Sequence, residues 1–162
     1  MGGSYGAALA FVSATQWAYR THADQKFPPF AAHAAFYPGC YVYERFVRER
    51  KGRPDLPAST YDEFTSAPVR IYAGGKDDYD DRDPQACEKM ISALQAPVQS
   101  LVSLKFFPDA THGWDHKMAA TFFEPLACKG RGCMNQNQPD SATTREGIAD
   151  LLDFLSSRMP AR

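Results

Sequence analysis

The chain has 162 residues, of which 44% are hydrophobic and 23% are charged. These proportions are typical of one globular domain and argue against an extended disordered chain. Lysine and arginine number 18 and aspartate and glutamate 19, so the formal net charge is −1. We therefore expect no electrostatic attraction to nucleic acid or to an anionic membrane, and the apolar stretches are shorter than the roughly 20 residues that span a bilayer.

The first half of the chain alternates between apolar runs and polar stretches. Residues 5–19 are apolar on several sides and predict a buried helix. Residues 31–37 predict a short buried strand, and the polar stretch 41–66 predicts a loop with at most short helices. Apolar side chains alternate along 69–73 and then meet glycines at 74 and 75, which predicts a second strand that stops there.

The second half continues the alternation. Asp83 and Pro84 resemble a helix start, and apolar residues follow at positions 87, 90, 91 and 94, which is the spacing of one helix face. Residues 101–107 predict a third strand. Thr143 and Glu146 form a candidate capping box for a last helix, with its apolar stripe at 148, 151, 152 and 155. Short strands alternating with helices predict an α/β fold with a parallel sheet in one domain, residues 1–162.

Residues 2–6 read GGSYG and match the pattern G-x-S-x-G. In this pattern the serine sits on a sharp strand-to-helix turn, and we expect side chains at the glycine positions to clash with the neighbouring strand and helix. A helix-like run follows at once, as the motif requires. The alternative is a flexible glycine-rich N-terminus.

Two further signals follow predicted strands. Asp77 and Asp78 come after the strand at 69–73, at the edge of a parallel sheet where active sites collect, and His112 follows the strand at 101–107 beside a glycine. The acidic run around Asp77 could equally be a solvated turn or a weak cation site. The chain order Ser, Asp, His is the order of the α/β-hydrolase triad.

With these motifs, the chain resembles the dienelactone hydrolase family of α/β-hydrolases. The resemblance rests on residues 2–6, 36–39, 73–78 and 112–115, and it covers most of 1–125 and the last helix. The best-known members use a cysteine nucleophile, so the serine here indicates a relation to the serine-using members. No segment favours a peptide over an ester as substrate.

The resemblance implies a serine hydrolase that cleaves small carboxylic esters or lactones without a metal or organic cofactor. Carried over by position, Ser4 is the nucleophile, His112 the base and Asp77 the acid, with Asp78 as the alternative acid. The backbone N–H of Tyr5 would donate to the oxyanion.

The family's sheet also has strands before the nucleophile. The resemblance therefore implies an incomplete domain in which the N-terminal strands are missing, with a loop insertion at about 126–141. We expect such a chain to be marginally stable, to self-associate through an exposed sheet edge and to turn over little ester, and a catalytically silent remnant is the alternative function. The N-terminus shows no signal peptide, but one would be lost with missing strands, so a cytoplasmic and an exported parent both stay open.

Four cysteines are present, at positions 40, 87, 128 and 133, and none forms a CxxC pair. Cys128 and Cys133 flank a glycine-containing loop that could close into a small disulfide, with two free thiols as the alternative. A zinc site at these cysteines and the histidines at 112 and 116 is disfavoured, because the histidine pair precedes the cysteines, unlike in a zinc finger.

Overall fold

A computed structural model describes residues 1–24, 26–49 and 56–158. The strands in these ranges are β1 (Gly2–Gly3), β2 (His33–Phe36), β3 (Val69–Gly74), β4 (Val102–Phe107), β5 (Ala120–Glu124) and β6 (Cys133–Asn137). The helices are α1 (Tyr5–Ser13), α2 (Gln16–His22), α3 (Cys40–Glu49), α4 (Ala86–Ala93), α5 (Ala96–Gln99), α6 (Ala127–Gly130) and α7 (Ser141–Ser156). No helix among the described residues combines the length and apolar character needed to cross a membrane.

Strands β1 to β4 form a parallel sheet in the order β1-β2-β3-β4. Strand β3 is buried along nearly its whole length, as expected of a central strand covered on both faces. The predicted mixture of helices and parallel strands is confirmed. Strands β1 and β4 are the outer strands of this sheet within the described residues, and self-association through an edge stays a prediction.

The core lies on both faces of the sheet. Neighbouring residues of a strand point to opposite faces, so Ile71 packs with Phe11 of α1 and Met90 of α4, while Tyr72 packs with Trp114 and Leu151 of α7. Because the four strands are parallel, their carboxyl ends lie at the same edge of the sheet. The loops that follow the strands therefore meet at one edge of the sheet.

The helix predicted over 5–19 is two helices. Helix α1 ends at Ser13, and Thr15 begins α2 by accepting a hydrogen bond on its Oγ1 from the N–H of Ala18 at 3.1 Å. Thr15 also forms a β-bridge with Phe64. A threonine that can cap a new helix and pair with a distant segment explains the break.

The stretch 41–66, predicted as a loop with at most short helices, forms the ten-residue helix α3 over its first part. Its apolar side chains Tyr43, Phe46 and Val47 share the face that packs into the core. The arginines that suggested a loop instead form ion pairs one helical turn apart, Arg45 with Glu49 and Arg48 with Glu44. Residues 50–55 of that prediction lie outside the described residues.

Two helix starts differ from the sequence prediction. Helix α4 begins at Ala86, because Asp83 binds the N–H of Gln85 in a turn before the helix. The capping residue of α7 is Asp140, whose Oδ1 accepts from the N–H groups of Ala142 and Thr143.

The buried face of α7 is also displaced from the predicted stripe. It holds Gly147 and Leu151, whereas Ile148 and Leu152 are exposed. Of the four predicted stripe residues, Leu151 alone is fully buried, and Leu155 packs partly against the same cluster.

The predicted loop insertion at about 126–141 is largely ordered into regular structure. It contains α6, strand β6 and the start of α7, and β6 pairs antiparallel with β5. We call residues 120–137 the hairpin. Two polar side chains of β6, Asn135 and Asn137, are buried, and Nδ2 of Asn135 donates to Oδ1 of Asn137 at 2.7 Å.

Candidate active site

Ser4 occupies a sharp turn between β1 and α1. Its backbone has φ 51° and ψ −117°, a conformation that non-glycine residues rarely adopt. The Ser4 N–H donates to the carbonyl of Phe36 at 3.0 Å, and the Ser4 carbonyl accepts from the N–H groups of Ala7 and Ala8. The sheet and the helix therefore hold the strained serine from both sides.

His112 joins Ser4 and Asp77 across the carboxyl edge of the sheet. Its Nε2 lies 2.9 Å from Oγ of Ser4, and its Nδ1 lies 2.9 Å from Oδ2 of Asp77. An ionised carboxylate only accepts, so Nδ1 carries the proton and Nε2 is free to accept from the serine. His112 and Asp77 are 4% and 2% exposed, whereas Ser4 is half-buried.

Asp78 points away from this arrangement. Its Oδ1 accepts from Nε of Arg82 at 2.7 Å, and its Oδ2 accepts from the N–H of Gln136 in β6 at 2.8 Å. Of the two candidate acids, Asp77 is therefore the one in contact with His112.

Residues 77–83, which we call the acidic turn, are not simply solvated. Asp80 is 6% exposed and accepts from the N–H groups of Cys40 and Tyr41 at the start of α3. Burial, reinforced by the nearby Asp77, raises the pKa of Asp80 to about 7. Asp81 pairs with Arg131, and Asp83 pairs with Lys89 and Lys129.

Two tyrosine rings lie against the His112 ring. Tyr79 is tilted by 33° with ring centroids 4.2 Å apart, and Tyr37 makes an edge contact at 4.8 Å. Tyr37 follows β2 with φ 41°, and its hydroxyl donates to Oδ1 of Asp115 at 2.7 Å. Neither tyrosine is predicted as a site residue from the sequence. The available signal was position, because Tyr37 lies within the motif 36–39 and Tyr79 directly follows the motif 73–78.

The backbone N–H of Tyr5 lies in the first turn of α1, directly after the serine. N–H groups in a first helical turn have no acceptor within their own helix. The side chain of Tyr5 is 79% exposed. This N–H can donate to an oxyanion that forms on a carbonyl group attacked by Ser4.

Both pairs of cysteines form disulfides. Cys128 joins Cys133, so these residues form the predicted disulfide and are not free thiols. Cys40 joins Cys87, a pair that was not predicted from the sequence. Among the described residues, one group has metal-like spacing, namely Cys40, Asp80 and Cys87. Its two sulfur atoms are bonded to each other and so are not available as thiolate ligands.

Comparison of the chain with protein-family models, with curated proteins and with solved structures found no match in any of the three.

Proposed function

We propose that the chain is a serine hydrolase of the dienelactone hydrolase type that cleaves carboxylic esters or lactones. One observation carries this proposal: a single buried imidazole is hydrogen-bonded to the strained Ser4 on one side and to the Asp77 carboxylate on the other. A serine next to a base that is oriented by a third group is the arrangement that activates a weak nucleophile.

In the acylation step, Oγ of Ser4 attacks the carbonyl carbon of the ester while its proton passes to Nε2 of His112. The carbonyl oxygen becomes an oxyanion that accepts from the Tyr5 N–H. When the tetrahedral intermediate collapses, the bond to the alcohol oxygen breaks and His112 gives its proton to the leaving alcohol. Asp77 stabilises the imidazolium while it exists.

In the deacylation step, water attacks the acyl-serine and gives a proton to Nε2 of His112. The bond between the acyl carbon and Oγ then breaks, and His112 returns the proton to the serine. The products are a carboxylic acid and an alcohol, or a hydroxy acid from a lactone. The cycle needs no redox change and no further group.

A fluorophosphonate probe tests the nucleophile. We expect the probe to add to Ser4, seen by mass spectrometry, and Ser4→Ala to abolish the adduct. Ser13→Ala is a matched control, because Oγ of Ser13 lies 3.1 Å from Nδ1 of the buried His33, which makes a second serine–histidine contact. A folded chain that is not labelled would instead support the catalytically silent alternative.

The acid is tested by comparing two neighbouring carboxylates. We expect Asp77→Asn to lower the turnover of p-nitrophenyl acetate on the scale of about 10⁴, because the imidazole loses its orienting acceptor. Asp78→Asn should cost far less. A larger loss for Asp78→Asn, with both variants folded, would contradict the assignment of Asp77.

A further inference from the structure

Tyr79 contacts both the base and the acid of the proposed triad. Its ring lies on the ring of His112, and its backbone N–H donates to Oδ1 of Asp77 at 2.9 Å. The imidazole has to point at two atoms at once, each 2.9 Å away. An aromatic ring pressed against the imidazole limits the rotation that would break both hydrogen bonds.

The hairpin fixes Tyr79 in turn. The Tyr79 carbonyl accepts from the N–H of Lys129 at 3.0 Å. Burial, followed by the charge of the Glu124 carboxylate of β5, raises the pKa of Tyr79. The hairpin therefore holds the backbone of Tyr79.

A disulfide closes the end of the hairpin that makes these contacts. Cys133 pairs with Glu124 in the β5–β6 register. The N–H of Cys128 donates to the carbonyl of Asp78 at 2.7 Å, and Cys128 and Lys129 have φ values of 53° and 56°. The disulfide between Cys128 and Cys133 thus holds a left-handed turn against the acidic turn.

We propose that Tyr79 is a positioning residue for His112, and that the disulfide-closed end of the hairpin keeps Tyr79 in place. The kinetic consequence rests on the proposed function, whereas the orientation of the imidazole does not. Tyr79 acts through His112, so it changes the chemical step and leaves substrate affinity nearly unchanged.

Ester kinetics provide the first test. We expect Tyr79→Leu to lower kcat about 100-fold at nearly unchanged KM, the cost of a misplaced catalytic group. Tyr79→Phe keeps the ring and should lose no more than about threefold. Tyr41→Phe is the matched control, because the Tyr41 hydroxyl also binds the hairpin, at the Leu126 carbonyl. It should keep the kcat of the wild type.

The ¹⁵N chemical shifts of the His112 ring provide the second test, because they report which nitrogen carries the proton without any turnover. We expect the Nδ1–H form in the wild type and in Tyr79→Phe, and a mixture of both tautomers in Tyr79→Leu. A single unchanged tautomer together with an unchanged kcat in folded Tyr79→Leu would overturn the proposal.

The two tests also separate the two proposals. If the wild type hydrolyses no ester but the tautomer shifts in Tyr79→Leu, the proposed function fails and the positioning role stands. If Tyr79→Leu does not fold, the double variant Cys128→Ala with Cys133→Ala decides: an unchanged kcat and a single unchanged tautomer in that variant, when it is folded, would contradict the proposal that the hairpin keeps Tyr79 in place.

Discussion

At the scale of the residue, the two fixed glycines of the serine motif are not equivalent. A Cβ built on Gly2 would lie 2.3 Å from the backbone carbonyl of Gly6, a contact that no side-chain movement relieves. A Cβ on Gly6 would meet nothing within 4 Å. The sequence expectation that every motif glycine excludes a side chain is therefore wrong for Gly6.

We predict that Gly2→Ala lowers the free energy of unfolding by about 2 kcal/mol or more and abolishes labelling of Ser4, because the turn has to open. Gly6→Ala should keep the labelling and raise the stability by up to about 1 kcal/mol, since alanine favours a helix over glycine. Urea unfolding and probe labelling of both variants check this. Loss of labelling in folded Gly6→Ala would contradict it.

His33 shows how burial can make the stability of a fold sensitive to acid through one histidine. It is 3% exposed at the start of β2, and burial, helped by the N-terminal amino charge, lowers its pKa from 6.5 to about 4. The unfolded chain then binds the proton more tightly than the folded one. Stability is lost as the pH falls from about 6.5 towards 4.

We predict that replacing His33 by leucine flattens the pH dependence of the unfolding free energy across this window. The part removed is up to about 3 kcal/mol, from the difference between the two pKa values. His22→Leu is the control, because His22 is exposed, and it should keep the slope. Urea unfolding at a series of pH values measures it, and an unchanged slope in His33→Leu would show that burial does not control this proton.

At the scale of the element, the Cys40–Cys87 disulfide joins the start of α3 to α4 across 47 residues of sequence. The Cys128–Cys133 disulfide closes a separation of only 5 residues. Closing a longer loop removes more conformational freedom from the unfolded chain. The two disulfides should therefore contribute very different shares of stability.

We predict that Cys40→Ala with Cys87→Ala lowers the free energy of unfolding by about 4 kcal/mol, and that Cys128→Ala with Cys133→Ala lowers it by about 2 kcal/mol. Urea unfolding of the two double variants makes the comparison. Equal losses would show that loop length does not determine the contribution.

The elements also show what the sequence could predict. The central strands and the residues Ser4, Asp77 and His112 follow from local patterns, because each lies where a strand ends. Helix α3 does not follow from a local pattern, because its arginines find their glutamate partners only when the helix has formed. Tyr79 and the Cys40–Cys87 pair depend on contacts between segments far apart in sequence, and such contacts leave no periodic signal.

At the scale of the whole molecule, a half-buried ion pair joins the last helix to the middle of the sheet. Arg70 of β3 donates two hydrogen bonds to Asp150 of α7, at 2.9 and 2.7 Å, and the Tyr72 hydroxyl donates a third at 3.0 Å. The Arg70 guanidinium holds the pKa of Asp150 below its usual range. This contribution to stability is present above the unfolded pKa of an aspartate and is lost as the pH falls.

We predict that Asp150→Ala lowers the free energy of unfolding by about 2 kcal/mol at neutral pH, because Arg70 and Tyr72 lose a charged acceptor. The loss should shrink in acid. Asp153 is an exposed carboxylate on the same helix, so Asp153→Ala should change the free energy of unfolding little. Urea unfolding at neutral and acidic pH measures both, and an equal effect of the two variants would contradict the role of Asp150.

The acidic turn has a consequence for how this sequence can evolve. Within seven residues, successive carboxylates bind His112, the hairpin, α3 and α4, each in its own direction. An inserted or deleted residue would rotate every later carboxylate away from its partner at the same time. Natural variation here should therefore occur by substitution at constant length, and transplanting the proposed triad into another scaffold would require moving the whole turn as one piece.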